Sequence, residues 1–282
     1  MDGKDNKIED NNTIKCGDKL IDLAELKIMG IVNVTPDSFF KGSRISNKDA
    51  LLKRVEQMIA EGADIIDIGG NSTRPGAEHV SLEEELDRVV PAIESVSENF
   101  GNTLISVDTF RSVVARESVH AGAHIINDVY AGSFDHKMFQ TVADLQVPYV
   151  LMHSRGNSKT MNDLSEYLDV VSEVIGELKE KIIRLRNLGV KKIIIDPGFG
   201  FAKNQDQNYT LLRNLSAFKD LNYPVLVGVS RKRMIWKKLG ITPSEALNGT
   251  TVLNTLAFLN GANILRVHDV KEAVEIRKLL NF

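Results

Sequence analysis

Residues 192–201 read Lys-Ile-Ile-Ile-Asp-Pro-Gly-Phe-Gly-Phe. Three isoleucines in a row without polar alternation describe a strand buried on both faces, the habit of a parallel strand covered by helices. The apolar run ends at Asp196 and passes into a Pro-Gly turn. The same form recurs outward in both directions. Val225–Val229 (VLVGV) and Asn263–Val267 follow it, and Ile28–Val32, Ala63–Ile68, Leu104–Val107, His124–Ile126 and Pro148–Met152 precede it, making eight strands with Lys192–Ile195. Amphipathic segments lie between them. Asn47–Glu61 gathers Ala50, Leu51, Val55, Met58 and Ile59 on one face. Ser81-Leu-Glu-Glu opens a capping-box pattern before a helix running towards Phe100. Leu164–Leu188 is closed by Gly189, and Ser244–Gly261 and Val270–Leu280 complete the reading. Eight β/α units in roughly 250 residues fit a closed (β/α)8 barrel, the α/β TIM-barrel class, better than an open doubly wound sheet. Thr13–Cys16 and Lys19–Leu23, around Gly17-Asp18, predict a short hairpin ahead of the barrel. Residues 1–12, acidic and Asn-rich, read as a disordered lead-in, and residues 13–282 as a single catalytic domain.

Composition narrows the class. Hydrophobic residues make 43% and charged residues 26% of the chain, as in a globular protein with a sizeable core. A net charge of −3 argues against a nucleic-acid partner, which calls for a basic surplus on one face. Cys16 is the only cysteine, excluding an internal disulfide and a Cys-rich zinc site. No run of about 18 apolar residues occurs, so no membrane segment is expected, and the expected location is the cytoplasm.

In a barrel of this class the active site gathers at the C-terminal ends of the strands. Those ends carry Asn33-Val34-Thr35-Pro36-Asp37-Ser38-Phe39, then Asn71-Ser72-Thr73-Arg74-Pro75-Gly76, then Asp108, Asn127-Asp128 and His153. Asp196 through Phe201, Ser230-Arg231-Lys232-Arg233 and Arg266-Val267-His268 follow. Singly, each has a structural reading. Asp108 and Asp196 could cap helices, Asn127 could turn a loop, the strand-seven cations could be a solvated face, and His153 a packed histidine. His120 and His124 have the spacing of a helical metal pair, but Gly122 between them and the strand start at His124 reject it. The joint occurrence of hydrogen-bonding or charged groups at every strand end outweighs those readings.

The segments MGIVNVTPDSF, GADIIDIGGNSTRPGA, SVDTF, INDV, LMHSRG, DPGFGFAKN, GVSRKRMI and RVHDV resemble, in order, the motif series of bacterial dihydropteroate synthases, over Ile28 to the C-terminus. That resemblance implies a TIM barrel, normally a homodimer. It implies a transferase that makes 7,8-dihydropteroate from 6-hydroxymethyl-7,8-dihydropterin diphosphate and 4-aminobenzoate with Mg²⁺. Two departures stand out: Phe40-Lys41-Gly42-Ser43 where the family commonly has Ser-Asp-Gly-Gly, and Asn71 where Glu is common. They bear on loop closure and aminobenzoate affinity rather than on the reaction.

The resemblance implies roles for the strand-end residues. Asp196 would accept the pterin's adjacent N–H donors, with Asn127 and Lys232 on the rest of its edge. Asp108 would stabilise a pterin-methyl cation in an SN1-like displacement. Arg266 and His268, with Asn33 as Mg²⁺ ligand and Thr73 nearby, would hold the diphosphate. Ser230 and Arg231 would take the aminobenzoate carboxylate at the start of the short helix after strand seven, walled by Thr73, Arg74, Pro75 and Phe201. Thr35, Pro36, Asp37 and Phe39 would form a lid excluding water, and Arg74 joins Asp108 and Lys232 as a catalytic candidate. Sulfonamides, which resemble aminobenzoate, are the expected inhibitors. A methyltransferase barrel that binds methyltetrahydrofolate would share Asp108, Asn127 and Asp196 but has no use for a diphosphate clamp. A non-catalytic pterin binder would have lost the rim charges. Another phosphate-handling barrel would put glycines where Ser230, Lys232, Arg266 and His268 stand.

Overall fold

The computed structural model describes residues 13–34, 44–71, 80–156, 160–161 and 163–280. Ten strands occur among them. β1 (Thr13–Cys16) and β2 (Lys19–Asp22) form the antiparallel hairpin. β3 (Lys27–Asn33), β4 (Ile65–Gly69), β5 (Leu104–Asp108), β6 (Ile125–Asp128), β7 (Tyr149–Met152), β8 (Ile193–Asp196), β9 (Leu226–Val227) and β10 (Ile264–Val267) are all parallel, in the order β8-β7-β6-β5-β4-β3-β10-β9. A bridge between Ile195 and Val225 closes β8 onto β9. The predicted barrel and hairpin are therefore the observed ones.

Helices clothe the outside: α1 (Arg44–Glu61), α2 (Leu82–Asn99), α3 (Ser112–His120), α4 (Met138–Leu145), α5 (Val170–Asn187), α6 (Gln205–Arg213), α7 (Arg233–Leu239), α8 (Leu247–Leu259) and α9 (Val270–Leu280). Ser81 caps α2 by accepting from the Glu84 amide at 3.0 Å. The segment expected to be helical from Leu164 begins only at Val170, because the Asp169 side chain takes the Val171 amide at 3.0 Å and sets the helix start there. The segment Ser244–Gly261 splits into a 3-10 turn, Pro243–Glu245, and α8. The strand expected over Val225–Val229 ladders only at Leu226–Val227.

Outward-facing strand residues and helix faces form one large core. Inside the barrel, Met29, Ile65, Leu104, Ile125, Val150, Ile194, Leu226 and Ile264 make an apolar floor, sealed by Ile14, Cys16, Ile21 and Leu23 of the hairpin segment. The hairpin is thus the bottom plug of the barrel, and any ligand must enter from the opposite end.

Candidate active site

Side chains alternate along a strand, so each inward position lies two residues after the last. Two steps above the apolar floor stand Asp67, Ser106, Asn127, Met152, Asp196 and Arg266. The interior therefore turns from apolar to polar in a single layer, and Asp108 lies at the next inward position of β5. Six of these seven side chains are buried and Arg266 is partly so.

Four of these groups, Arg266, Asp67, Asp108 and Asn127, are bonded to one another. Arg266 donates from Nε to Asp67 at 2.6 Å and from Nη2 to Asp108 at 2.6 Å. Asn127 donates to the same Asp67 oxygen at 3.2 Å. Burial works against the Arg266 charge, but the two carboxylates outweigh it and raise its pKa. Asp108 is raised well above the ordinary carboxylate range, chiefly by burial. Arg266 opposes that shift, and the charges of Asp67, Glu85 and Asp128 add to it. Neither Asp108 nor Asp196 caps a helix, and Asn127 turns no loop.

Asp196 ends β8, and its Oδ1 accepts from the Gly198 amide at 2.7 Å. Burial raises its pKa against the pull of Lys232. Gly198 has φ +73°, and a Cβ there would come within 1.9 Å of the His153 carbonyl oxygen, so only glycine fits this close crossing of β8 and β7. Lys232 reaches across to the Phe199 carbonyl at 2.5 Å, with its ammonium 4.9 Å from the Phe201 ring centre. Burial, opposed by Asp196, lowers its pKa to about 8. Phe201 packs with Met152, Phe110 and Tyr130 in a separate apolar cluster, a flat wall beside the charges.

Two neighbours of the site were not singled out in the sequence. Asp67 sits within a strand rather than at its end. Lys203 is buried, and its ammonium donates to the carbonyls of Gly198 at 3.1 Å and Phe201 at 2.9 Å and to His153 Nδ1 at 2.9 Å. It holds the Gly198–Phe201 loop from below. His153 then faces Glu177 through Nε2 at 3.0 Å, so Nε2 carries the proton and Nδ1 accepts. Burial and Lys203 lower the His153 pKa to about 4, so it is a neutral, packed histidine, in line with its structural reading.

On the far side, Ser230 Oγ and His268 Nδ1 are 3.0 Å apart, joining two of the candidates. Asn33 ends β3 beside Gly69, and Gly69 in turn pairs with Asp108. Arg231 departs from expectation. It has φ +54°, and its guanidinium makes a bidentate pair with Asp269 at 2.9 and 2.8 Å while also reaching the Pro243 and Ser244 carbonyls. A guanidinium so committed anchors the β9–α7 turn, and its contacts do not place it on an aminobenzoate carboxylate. Thr35, Pro36, Asp37, Phe39, Thr73, Arg74 and Pro75 lie outside the described residues, as do Phe40-Lys41-Gly42-Ser43 and the lead-in, residues 1–12. Among the described residues, no three His, Cys, Asp or Glu side chains cluster for a metal, and no helix is long and apolar enough to cross a membrane.

The family model described as pterin binding enzyme matches residues 29–268. The dihydropteroate synthase of Escherichia coli K12 is 46% identical over 262 residues, covering 92% of each chain. The Xanthomonas albilineans enzyme, in a structure with 4-aminobenzoic acid, superposes with a TM-score of 0.89 at 42% identity, covering 95% of this chain and 97% of that one. Its complex with 7,8-dihydropteroate gives 0.85 and 40% over the same shares. The Yersinia pestis enzyme in a sulfonamide drug complex gives 0.88 and 40%, with 95% and 97% covered.

Proposed function

The chain belongs to the dihydropteroate synthases of the pterin-binding enzyme family, and from that premise we propose how its barrel mouth carries out the condensation. The reading is that 6-hydroxymethyl-7,8-dihydropterin diphosphate and 4-aminobenzoate give 7,8-dihydropteroate and diphosphate by a dissociative displacement. It is carried by the convergence of Asp108, Asn127, Asp196, Lys232 and Arg266 above an apolar floor.

The pterin edge has adjacent N–H donors that suit the free oxygen of Asp196, while Asn127 and Lys232 serve the rest of the ring. The apolar wall at Met152 and Phe201 suits a flat ring. When the methylene–oxygen bond breaks, its electron pair leaves with the diphosphate and positive charge spreads into the pterin. Asp108, held close to Arg266, answers that charge, and Arg266 with His268 receives the departing anion. The amine nitrogen of aminobenzoate then bonds to the methylene carbon and sheds a proton to water. Being an aniline, it needs orientation more than a general base. Ser230 and the turn that Arg231 anchors are the candidate seat for its carboxylate. Sulfonamides would compete for that seat. The lid residues Thr35, Pro36, Asp37 and Phe39 and the loop residues Thr73, Arg74 and Pro75 keep their proposed parts, closing over the substrates and excluding water.

Asn33, at the C-terminal end of β3 beside Gly69, would offer the single protein oxygen that Mg²⁺ takes when phosphates and water fill the rest of its shell. When bound, Mg²⁺ supplies charge neutralisation on the leaving group. A homodimer and a cytoplasmic location belong to the same proposal. The uncharged helix α8, with Val252 and Leu259 exposed, offers a face for a second copy.

The test is to incubate the protein with both substrates and Mg²⁺ and follow diphosphate and dihydropteroate by mass spectrometry. Product that requires both substrates is expected. A protein that binds the pterin yet releases no diphosphate would refute the reading. The charges also fix a pH profile. In the free enzyme kcat/KM reports the groups that must be correctly protonated. Lys232 must keep its proton to serve as a cation, so the alkaline limb is expected near pH 8. Replacing it by Arg, which stays charged, should carry that limb upward. A limb that does not move would assign it to another group.

A further inference from the structure

Asp67 lies in β4, two strands from Arg266 on one side and two from Asn127 on the other. One oxygen, Oδ2, accepts from both: Arg266 Nε at 2.6 Å and Asn127 Nδ2 at 3.2 Å. The other oxygen, Oδ1, is buried and has no partner among the described residues. Among the described residues Asp67 therefore holds no backbone amide, loop or helix. Other carboxylates of the barrel differ. Asp128 takes the amides of Tyr130 and Gly132 at 2.8 Å each and the Tyr149 hydroxyl at 2.7 Å, so it ties the β6 turn together. Asp64 takes the Ile28 amide at 2.8 Å and Arg277 at 2.7 Å, so it ties β3 to α9. A fully buried carboxylate is costly unless it is paired, and among the described residues the Asp67 side chain bonds only to two candidate substrate-binding side chains.

We propose that Asp67 is a positioning residue of the condensation, aiming Arg266 at the leaving diphosphate and Asn127 at the pterin edge through one shared oxygen. This rests on the roles given above to Arg266 and Asn127. A carboxylate only accepts, so the atom Asn127 turns to Asp67 must be its Nδ2, and Oδ1 is left for a ring donor. Fixing Arg266 through Nε sets the plane of the guanidinium. With one Nη2 hydrogen on Asp108, both Nη1 hydrogens remain, among the described residues, for an anion.

Asp67→Asn keeps the shape and removes the charge. Its expected effect is a loss of about 10²-fold in kcat/KM for the pterin diphosphate, the scale of a misplaced catalytic group. The KM for aminobenzoate should stay within about twofold, because that substrate touches neither partner of Asp67. If Asp67 acts through Arg266, then Asp67→Asn should cost little more in an Arg266→Lys background, a non-additivity that a merely structural residue would not show. Ser118→Ala, which removes a buried hydroxyl of α3 with no partner among the described residues and lies outside the site, should leave turnover unchanged. An Asp67→Asn variant with unaltered kcat/KM, with additive effects, or without a cooperative thermal transition overturns the inference, the last because Asp67 would then be holding the scaffold. A wild-type protein that makes no dihydropteroate would instead strike the assigned reaction and this inference together.

Discussion

Replacing Asp196 by Asn is expected to lower kcat/KM for the pterin diphosphate by about 10²- to 10⁴-fold while the protein stays folded. The magnitude follows from two hydrogen bonds to a charged acceptor at about 1.5–3 kcal/mol each, with about 1.4 kcal/mol to each factor of ten. Asp196 is buried at the end of β8, with Oδ1 committed to the Gly198 amide at 2.7 Å. Asn can keep that bond through its own oxygen, so the turn survives. What it turns to the ring is then an NH₂ group facing N–H donors, which replaces attraction by repulsion. The Lys232 cation also loses the carboxylate that works against its desolvation, so its pKa falls further and the alkaline limb moves to lower pH. Steady-state kinetics with the pterin varied at saturating aminobenzoate would measure both effects. A loss of less than about tenfold would mean that Asp196 does not carry the ring edge.

The fold was legible because the physics of a parallel barrel is written in short windows. Ile193–Ile195 and Leu226–Val227 cannot alternate when both faces are covered, and polar groups then fall where the strands emerge. Helices α3, α4 and α6 were passed over because each is only eight or nine residues long, too short for its apolar period to stand out. The candidate site was legible where it sits at strand ends, since Asp108, Asn127, Asp196 and Arg266 do converge inside the barrel mouth. Asp67 was missed because it lies inside an otherwise apolar strand, Ile-Ile-Asp-Ile-Gly, although a charge in such a strand is itself the signal to follow. Lys203 resembles any loop lysine until the Gly198–Phe201 turn brings two carbonyls, and His153 a ring nitrogen, around it. Arg231 shows the reverse. A cation between Ser230 and Lys232 invites a ligand, but its partner Asp269 lies 38 residues away and only the closed barrel brings them together.

Replacing Arg266 by Met is expected to destabilise the fold by about 3–5 kcal/mol at neutral pH, the usual cost of removing one member of a buried ion pair. Asp67 and Asp108 would remain, 0% and 7% exposed, with no cation between them. The sign of the pH dependence separates this from a simple loss of packing. Arg266 opposes the burial that raises Asp108. Without it, the folded-state pKa climbs further above the unfolded value, about 3.9. Between those two values the folded variant binds more protons than the unfolded chain, so its stability falls as pH rises through the window. Below the window both states are protonated and the penalty from charge disappears. Urea unfolding of both proteins at pH 8 and pH 5 should therefore show a deficit that is larger at the higher pH. A deficit of equal size at both would mean that Arg266 supports the barrel through its hydrocarbon stem, and that its ion pairs with Asp67 and Asp108 contribute little to holding the site together.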